Sequence, residues 1–287
     1  MLQCPNGEKT RRNRIKNESS LPVRLHPRLR DWFFASFPAF THAQLLCVPS
    51  VLKRESILLT SPTGSGKTLA GFLGVFDSLL RELDSGGLKP GVRCVYVSPL
   101  RALAYDIEKN LRAPIAGMGL EKELRIHLRT GDTTATDRTK FRNQPSPFLV
   151  TTPESLAILL AQESYAQHLA KTEFVIVDEL HSFAGNKRGA DLSISLERLE
   201  RLVGAIDLNR PQLSGRAGGS GEPPLPTRLV RIGLSATAAP LDLLAEFLVG
   251  KDRHCCIAEA RIEKRQIVDV FSPIRRNPYP PSGYTGA

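Results

Sequence analysis

Two short segments carry residue types that could do chemistry together. The first is Ser61-Pro62-Thr63-Gly64-Ser65-Gly66-Lys67-Thr68, which directly follows the apolar run 57–60. Its glycines permit backbone geometries that let successive N–H groups point into one concavity and hold an anion. A helix opening at Lys67 would add the partial positive charge of its N-terminus. In such a loop the lysine reaches the terminal phosphates of a nucleoside triphosphate and the Thr68 hydroxyl ligates Mg²⁺. The general pattern begins with glycine, and here that position is Ser61. The second segment is Asp178-Glu179-Leu180-His181, which ends the apolar run Phe174-Val175-Ile176-Val177. Asp178 at such a strand end is the second candidate metal ligand, and Glu179 would orient or deprotonate an attacking water. Adjacent carboxylates repel unless a cation sits between them. Read singly, the first segment is also a glycine-rich turn and the second an acidic turn after a strand; read together they make a phosphate site with its metal.

Positioning two such loops side by side takes a sheet. Continuous Val/Ile/Leu runs recur at 57–60, 93–98, 125–128, 148–151, 174–177 and 229–234, and amphipathic segments such as 67–83 and 102–113 separate them. This pattern predicts a doubly wound α/β fold with a mostly parallel sheet covered by helices on both faces. A helix is expected from about Pro27, carrying Leu29, Trp32 and Phe33 on one side. Residues 1–20 are polar and basic and read as a disordered tail. Residues 204–227, with Gly215, Gly218, Gly219, Gly221, Pro223, Pro224 and Pro226, read as a flexible surface insertion that is neither helix nor central strand. The domain is expected over 21–260, with 261–287 as the start of a linker.

Composition fits a globular nucleotide-binding domain with an anionic partner. The 287 residues are 41% hydrophobic and 24% charged, with a formal net charge of +10. That surplus favours a polyanion, either nucleic acid or an acidic membrane face, although a basic solvated surface would give it too. No apolar run approaches the roughly 20 residues of a membrane-spanning helix, and no apolar region follows the basic N-terminus as in a secretory signal. The five cysteines form no CxxC pair, which argues against a zinc or disulfide framework and suits a reducing cytoplasm.

Residues 37–240 resemble the DExH-type helicases of superfamily 2, most closely the large helicase-related, or Lhr-type, group. Several segments match in family order. Phe40-Thr41-His42-Ala43-Gln44 resembles the Q motif, which implies that Gln44 reads adenine and that the nucleotide is ATP; Thr41 and Gln44 also fit a helix capping box. Ser98-Pro99-Leu100-Arg101, Thr130-Gly131-Asp132-Thr133 and Thr151-Thr152-Pro153-Glu154 resemble the family's nucleic-acid loops. The resemblance thus implies contacts from Pro99, Arg101, Thr130, Gly131, Thr152 and Pro153, though Thr152 before Pro153 is also an ordinary helix start. Gly185-Asn186-Lys187-Arg188 resembles an Lhr-type segment and adds Lys187 and Arg188 as candidate backbone-contacting cations, or a solvated charged turn. Gly233-Leu234-Ser235-Ala236-Thr237 resembles motif III, which implies that Ser235 and Thr237, with His181, couple the two sites.

The resemblance further implies Mg²⁺ and ATP as cofactors, single-stranded or duplex nucleic acid as partner with DNA favoured, and a RecA-like lobe. A second such lobe, carrying arginine fingers worth about 10³ to 10⁵ in rate, has no counterpart after Pro240. It is therefore expected in cis or in trans, and the chain alone is expected to hydrolyse ATP slowly and not to unwind duplexes. A module that binds nucleotide and nucleic acid without turnover is the alternative. A kinase should show an arginine-rich lid and a transporter ATPase its own signature loop, and neither is found.

Overall fold

A computed structural model describes residues 2–3, 24–208, 229–236 and 240–260. The chain alternates strands and helices. β1 is Leu2–Gln3, α1 Pro27–Ser36, α2 His42–Leu52, β2 Ile57–Thr60, α3 Lys67–Asp84, β3 Cys94–Val97 and α4 Arg101–Gly117. Then follow β4 (Ile126–Arg129), α5 (Ala135–Asn143), β5 (Phe148–Thr151), α6 (Pro153–Ala161), α7 (Glu163–Leu169) and β6 (Phe174–Val177). A 3-10 turn at Leu180–Ser182, α8 (Lys187–Leu208), β7 (Val230–Ser235), α9 (Leu241–Val249) and β8 (Cys256–Glu259) complete it.

The strands form one sheet in the order β1-β8-β2-β7-β6-β3-β5-β4. Every pairing from β8 to β4 is parallel. Strand residues alternate between two apolar layers, because successive side chains point to opposite faces. Ile57, Leu59, Cys94, Tyr96, Phe148, Val150, Phe174, Ile176, Ile232 and Leu234 pack under α1–α4. Leu58, Val95, Val97, Leu149, Val175 and Val177 pack under α6–α9. Burial on both faces is why these strands are continuous apolar runs instead of alternating ones.

Differences from the sequence pattern cluster at the ends. Leu2–Gln3 pair antiparallel with Ile257 and Ala258 of β8, whose outer edge offers unpaired backbone groups; the rest of the expected tail lies outside the described residues. α8 runs to Leu208 and so takes in 204–208 of the expected insertion. Gly204 in a helix costs only about 1 kcal/mol and is not a breaker, and the first proline downstream is Pro211. The remainder of the insertion, and 261–287, lie outside the described residues. β8 had no signal of its own: its residues Cys256-Ile257-Ala258-Glu259 are short and mixed, and pairing with β2 makes them a strand. β7 carries a buried Arg231, which donates to the Leu248 carbonyl at 3.0 Å and ion-pairs with Glu197 at 3.0 Å. No helix among the described residues is long and apolar enough to cross a membrane.

Candidate nucleotide and nucleic-acid site

Parallel pairing puts the C-terminal ends of β2, β7, β6, β3, β5 and β4 along one rim of the sheet, where open α/β sheets bind ligands. In register, Thr60 stands opposite Ser235, Val177 opposite Gly233, Val97 opposite Val177 and Thr151 opposite both Val97 and Arg129. The chemistry-bearing loops of β2, β7 and β6 therefore lie side by side, and those of β3, β5 and β4 continue the row.

The loop between β2 and α3 has the form its glycines allow. Gly64 and Gly66 both adopt left-handed backbone, at φ 77° and 79°. A Cβ at Gly64 would meet nothing within 4 Å, whereas one at Gly66 would lie 3.1 Å from Gln44 Nε2 and 3.4 Å from Thr41 Oγ1. The α2 start thus abuts the loop. Gln44 is buried and completes the capping box: Thr41 N–H donates to Gln44 Oε1 at 2.9 Å, and Gln44 N–H donates to Thr41 Oγ1 at 3.4 Å. With Oε1 so engaged, the Gln44 amide nitrogen faces the loop, so the cap does not use the atom that a ligand there would meet. Ser61 and Ser65 hydroxyls share a 2.6 Å hydrogen bond across the base of the loop, a use for serine at the pattern's first position. Ser61 N–H donates to the Ser235 carbonyl at 3.1 Å, which ties the loop to β7.

The acidic segment meets this loop directly. Lys67 is buried, and its Nζ lies 3.2 Å from Glu179 Oε1. That is ion-pair range, yet the alignment gives no hydrogen bond, and Lys67 Nζ has no hydrogen-bond partner among the described residues. A buried ammonium left with unused donors is costly, and phosphate oxygens at the loop would satisfy it. Asp178 is buried too, and burial is the largest influence pushing its carboxyl above the usual range, with Glu179's charge adding to the rise. A cation would reverse that, since a divalent ion favours the ionised form. The loop and the carboxylate pair therefore suit a triphosphate and its metal, with Thr68 and Asp178 as the ligands on offer. Glu179 itself holds left-handed backbone at φ 47° and ψ 45°, a conformation costing about 1–3 kcal/mol for a non-glycine residue and typical of functional positions.

His181 joins the acid to β7: its Nδ1 is 3.1 Å from Ser235 Oγ and 3.5 Å from Glu179 Oε2. Two of the three expected coupling residues are thus in contact; Thr237 lies outside the described residues. One contact had no motif behind it. Tyr96, buried on β3, donates its hydroxyl to Asp178 Oδ2. The general signal was present, because a tyrosine in a buried strand must find a partner for its O–H.

The expected nucleic-acid residues divide by exposure. Arg101, Gly131, Lys187 and Arg188 are exposed, whereas Pro99, Thr130, Thr152 and Pro153 are buried. Arg101 donates to Asp132 Oδ1 at 2.6 Å, and its guanidinium covers Gly131, where a Cβ would lie 2.7 Å from Nη2. Arg188 bridges two loops, donating to Glu154 Oε1 at 2.6 Å and to the Pro99 carbonyl at 2.8 Å. Thr152 sits at the N-cap of α6 with Pro153 following, but its hydroxyl bonds Ser155 Oγ at 3.2 Å instead of the helix backbone. The Thr130 hydroxyl has no partner among the described residues and is shielded from solvent. The buried members lie within these loops, and the cations and Gly131 are on their solvent side.

Comparison with known proteins bears on the family and the fold. Residues 41–244 match the model of the DEAD/DEAH box helicase family. The ATP-dependent helicase Lhr-Core of Methanothermobacter thermautotrophicus is 41% identical over 261 residues, covering 87% of this chain and 28% of that protein. The Lhr helicase/uracil glycosylase of Escherichia coli is 36% identical over 268 residues, covering 89% of this chain and 16% of its own length. Among solved structures, Mycobacterium smegmatis helicase Lhr bound to ssDNA and AMP-PNP superposes with a TM-score of 0.68 at 36% identity, over 82% of this chain and 28% of that one. The chain spans about a quarter of the length of the Lhr-Core relatives it matches.

Proposed function

We propose a function from one premise: this chain belongs to the DEAD/DEAH box helicase family. It is the RecA-like lobe of an Lhr-type motor that binds Mg-ATP at the β2–α3 loop and couples hydrolysis to movement along nucleic acid. The observation that carries this reading is the buried Lys67 ammonium, short of hydrogen-bond partners and 3.2 Å from Glu179. It is a cation built to receive phosphate beside a carboxylate able to handle a water.

In this mechanism the N–H groups of 63–68 and the Lys67 ammonium bind the phosphates, and Gln44 directs its amide nitrogen toward the base. Thr68 and Asp178 would hold magnesium, which would supply charge neutralisation on the phosphate oxygens. Glu179 accepts a proton from the attacking water, and its strained backbone keeps the carboxylate within reach of Lys67 and His181. His181 and Ser235 connect the acid to the strand behind the loop, so a shift at β7 reaches Glu179 through two contacts.

Nucleic acid lies along the loops of β3, β4 and β5, with Arg101, Lys187 and Arg188 toward its phosphates. Such contacts are blind to sequence. DNA is favoured, in line with the ssDNA named for the Mycobacterium smegmatis relative. Arginine fingers come from a second RecA-like lobe, in cis or in trans, without which turnover is slow. A cytoplasmic setting, in which the buried thiols stay reduced, belongs with this reading.

ATP turnover by the chain and by Lys67→Ala, with and without single-stranded DNA or RNA, tests it. Slow turnover that Lys67→Ala removes is expected. Equal turnover in both forms would refute the phosphate site, and robust DNA-stimulated turnover by this chain alone would refute the need for a second lobe.

A further inference from the structure

Asp178 is held by more than its place just after β6. Its Oδ1 accepts the Glu179 N–H at 2.9 Å, and its Oδ2 accepts the Tyr96 hydroxyl. Each carboxylate oxygen thus has one protein donor, which fixes the carboxylate plane and leaves the remaining lone pairs for other ligands. The donor on Oδ2 is rigid for identifiable reasons. Tyr96 stands opposite Ile176 across the β3–β6 pairing, so its ring reaches the strand end just where Asp178 begins the next loop. The ring is 1% exposed and stacks on Phe72 with centroids 5.3 Å apart and planes 17° from parallel. Phe72 belongs to α3, the helix that opens with Lys67 and Thr68. The tyrosine is therefore clamped between the helix that presents one expected metal ligand and the strand that presents the other.

We propose that Tyr96 is a positioning residue for the metal site, its hydroxyl fixing the orientation in which the Asp178 carboxylate meets magnesium. The inference rests on the reading that Asp178 holds the metal. Groups of this kind, hydrogen-bonded to a ligating carboxylate, typically change metal affinity by 10- to 100-fold when removed. A tyrosine kept only for packing would not need its hydroxyl, and a phenylalanine would stack on Phe72 equally well. Tyr96 also lies two residues before Ser98, on the strand that leads into the Arg101 loop. Displacement of that loop would thus be felt at the carboxylate.

The test is a Mn²⁺ titration followed by electron paramagnetic resonance, on the full chain with AMP-PNP, comparing wild type, Tyr96→Phe and Asp178→Asn. Metal-free binding of AMP-PNP in EDTA and the melting temperature are measured alongside. Tyr96→Phe is expected to weaken Mn²⁺ about 10- to 100-fold while metal-free nucleotide binding stays as in wild type and the variant still melts as a folded chain. Unchanged Mn²⁺ affinity in Tyr96→Phe, with Asp178→Asn impaired, overturns the inference alone. So does an equal loss of metal-bound and metal-free binding, which marks a merely structural role. Full Mn²⁺ affinity in Asp178→Asn overturns the assignment of Asp178 itself, and the inference with it.

Discussion

Replacing each loop glycine by alanine in turn separates backbone strain from contact. Gly64 and Gly66 have nearly the same left-handed backbone, at φ 77° and 79°, so Gly64→Ala and Gly66→Ala carry the same conformational penalty of about 1–2 kcal/mol. They differ in what the new methyl meets. At Gly64 it enters open space, and at Gly66 it lies 3.1 Å from Gln44 Nε2, tighter than ordinary packing. Gln44 cannot swing aside freely, because its Oε1 is held by the Thr41 N–H at 2.9 Å. Displacing it opens the capping box of α2, which is worth about 1 kcal/mol. Gly66→Ala should therefore be less stable than Gly64→Ala by about 1 kcal/mol. In a chain of this size that is about 2–4 °C in melting temperature. Thermal and urea denaturation of the nucleotide-free chain read the difference directly. Equal stability of the two variants, or a larger loss at Gly64, would refute the claim that the Gln44 helix is seated against the loop.

Other expectations follow from single contacts. Asp178→Asn should raise the melting temperature at neutral pH: burial lifts the carboxyl's folded pKa, so the ionised form weakens the fold as pH rises, and the variant's advantage should vanish below about pH 4. An advantage that persists in acid would contradict this. His127, stacked on Phe141 at 4.4 Å, is pushed down to about 4 by burial. The unfolded chain takes up that proton first, so stability should fall between about pH 6.5 and 4 by up to about 3 kcal/mol. His127→Gln should flatten that part of the profile, and unchanged pH dependence would count against the assignment. Arg188→Ala removes a half-exposed ion pair with Glu154 and the bond to the Pro99 carbonyl. It should cost at most about 1 kcal/mol in stability but reduce single-strand affinity severalfold in a fluorescence anisotropy titration; full affinity would remove Arg188 from the interface.

Much of this was legible because the physics is local. Strands β2, β5 and β6 fall where their apolar runs do, since a strand buried on both faces must be apolar throughout. The glycine loop and Asp178-Glu179 announce themselves through residue types that only a few backbone geometries accommodate. What the pattern did not carry is long-range. Cys256–Glu259 becomes a strand only through pairing with β2. Helix α8 continues past Gly204 although composition suggested a break. Tyr96 meets Asp178 across 82 positions of sequence, and no local rule names that partner. The resemblance-based candidates Thr130 and Thr152 show another limit: motif position does not tell that both residues are buried.

The most direct measurement is a crystal structure of the chain grown with AMP-PNP and Mn²⁺, with the metal located by its anomalous signal. The account predicts manganese between Thr68 Oγ1 and the Asp178 carboxylate, with the terminal phosphate against Lys67 Nζ. A metal elsewhere, or a triphosphate that leaves the Lys67 ammonium without a phosphate oxygen, would contradict it.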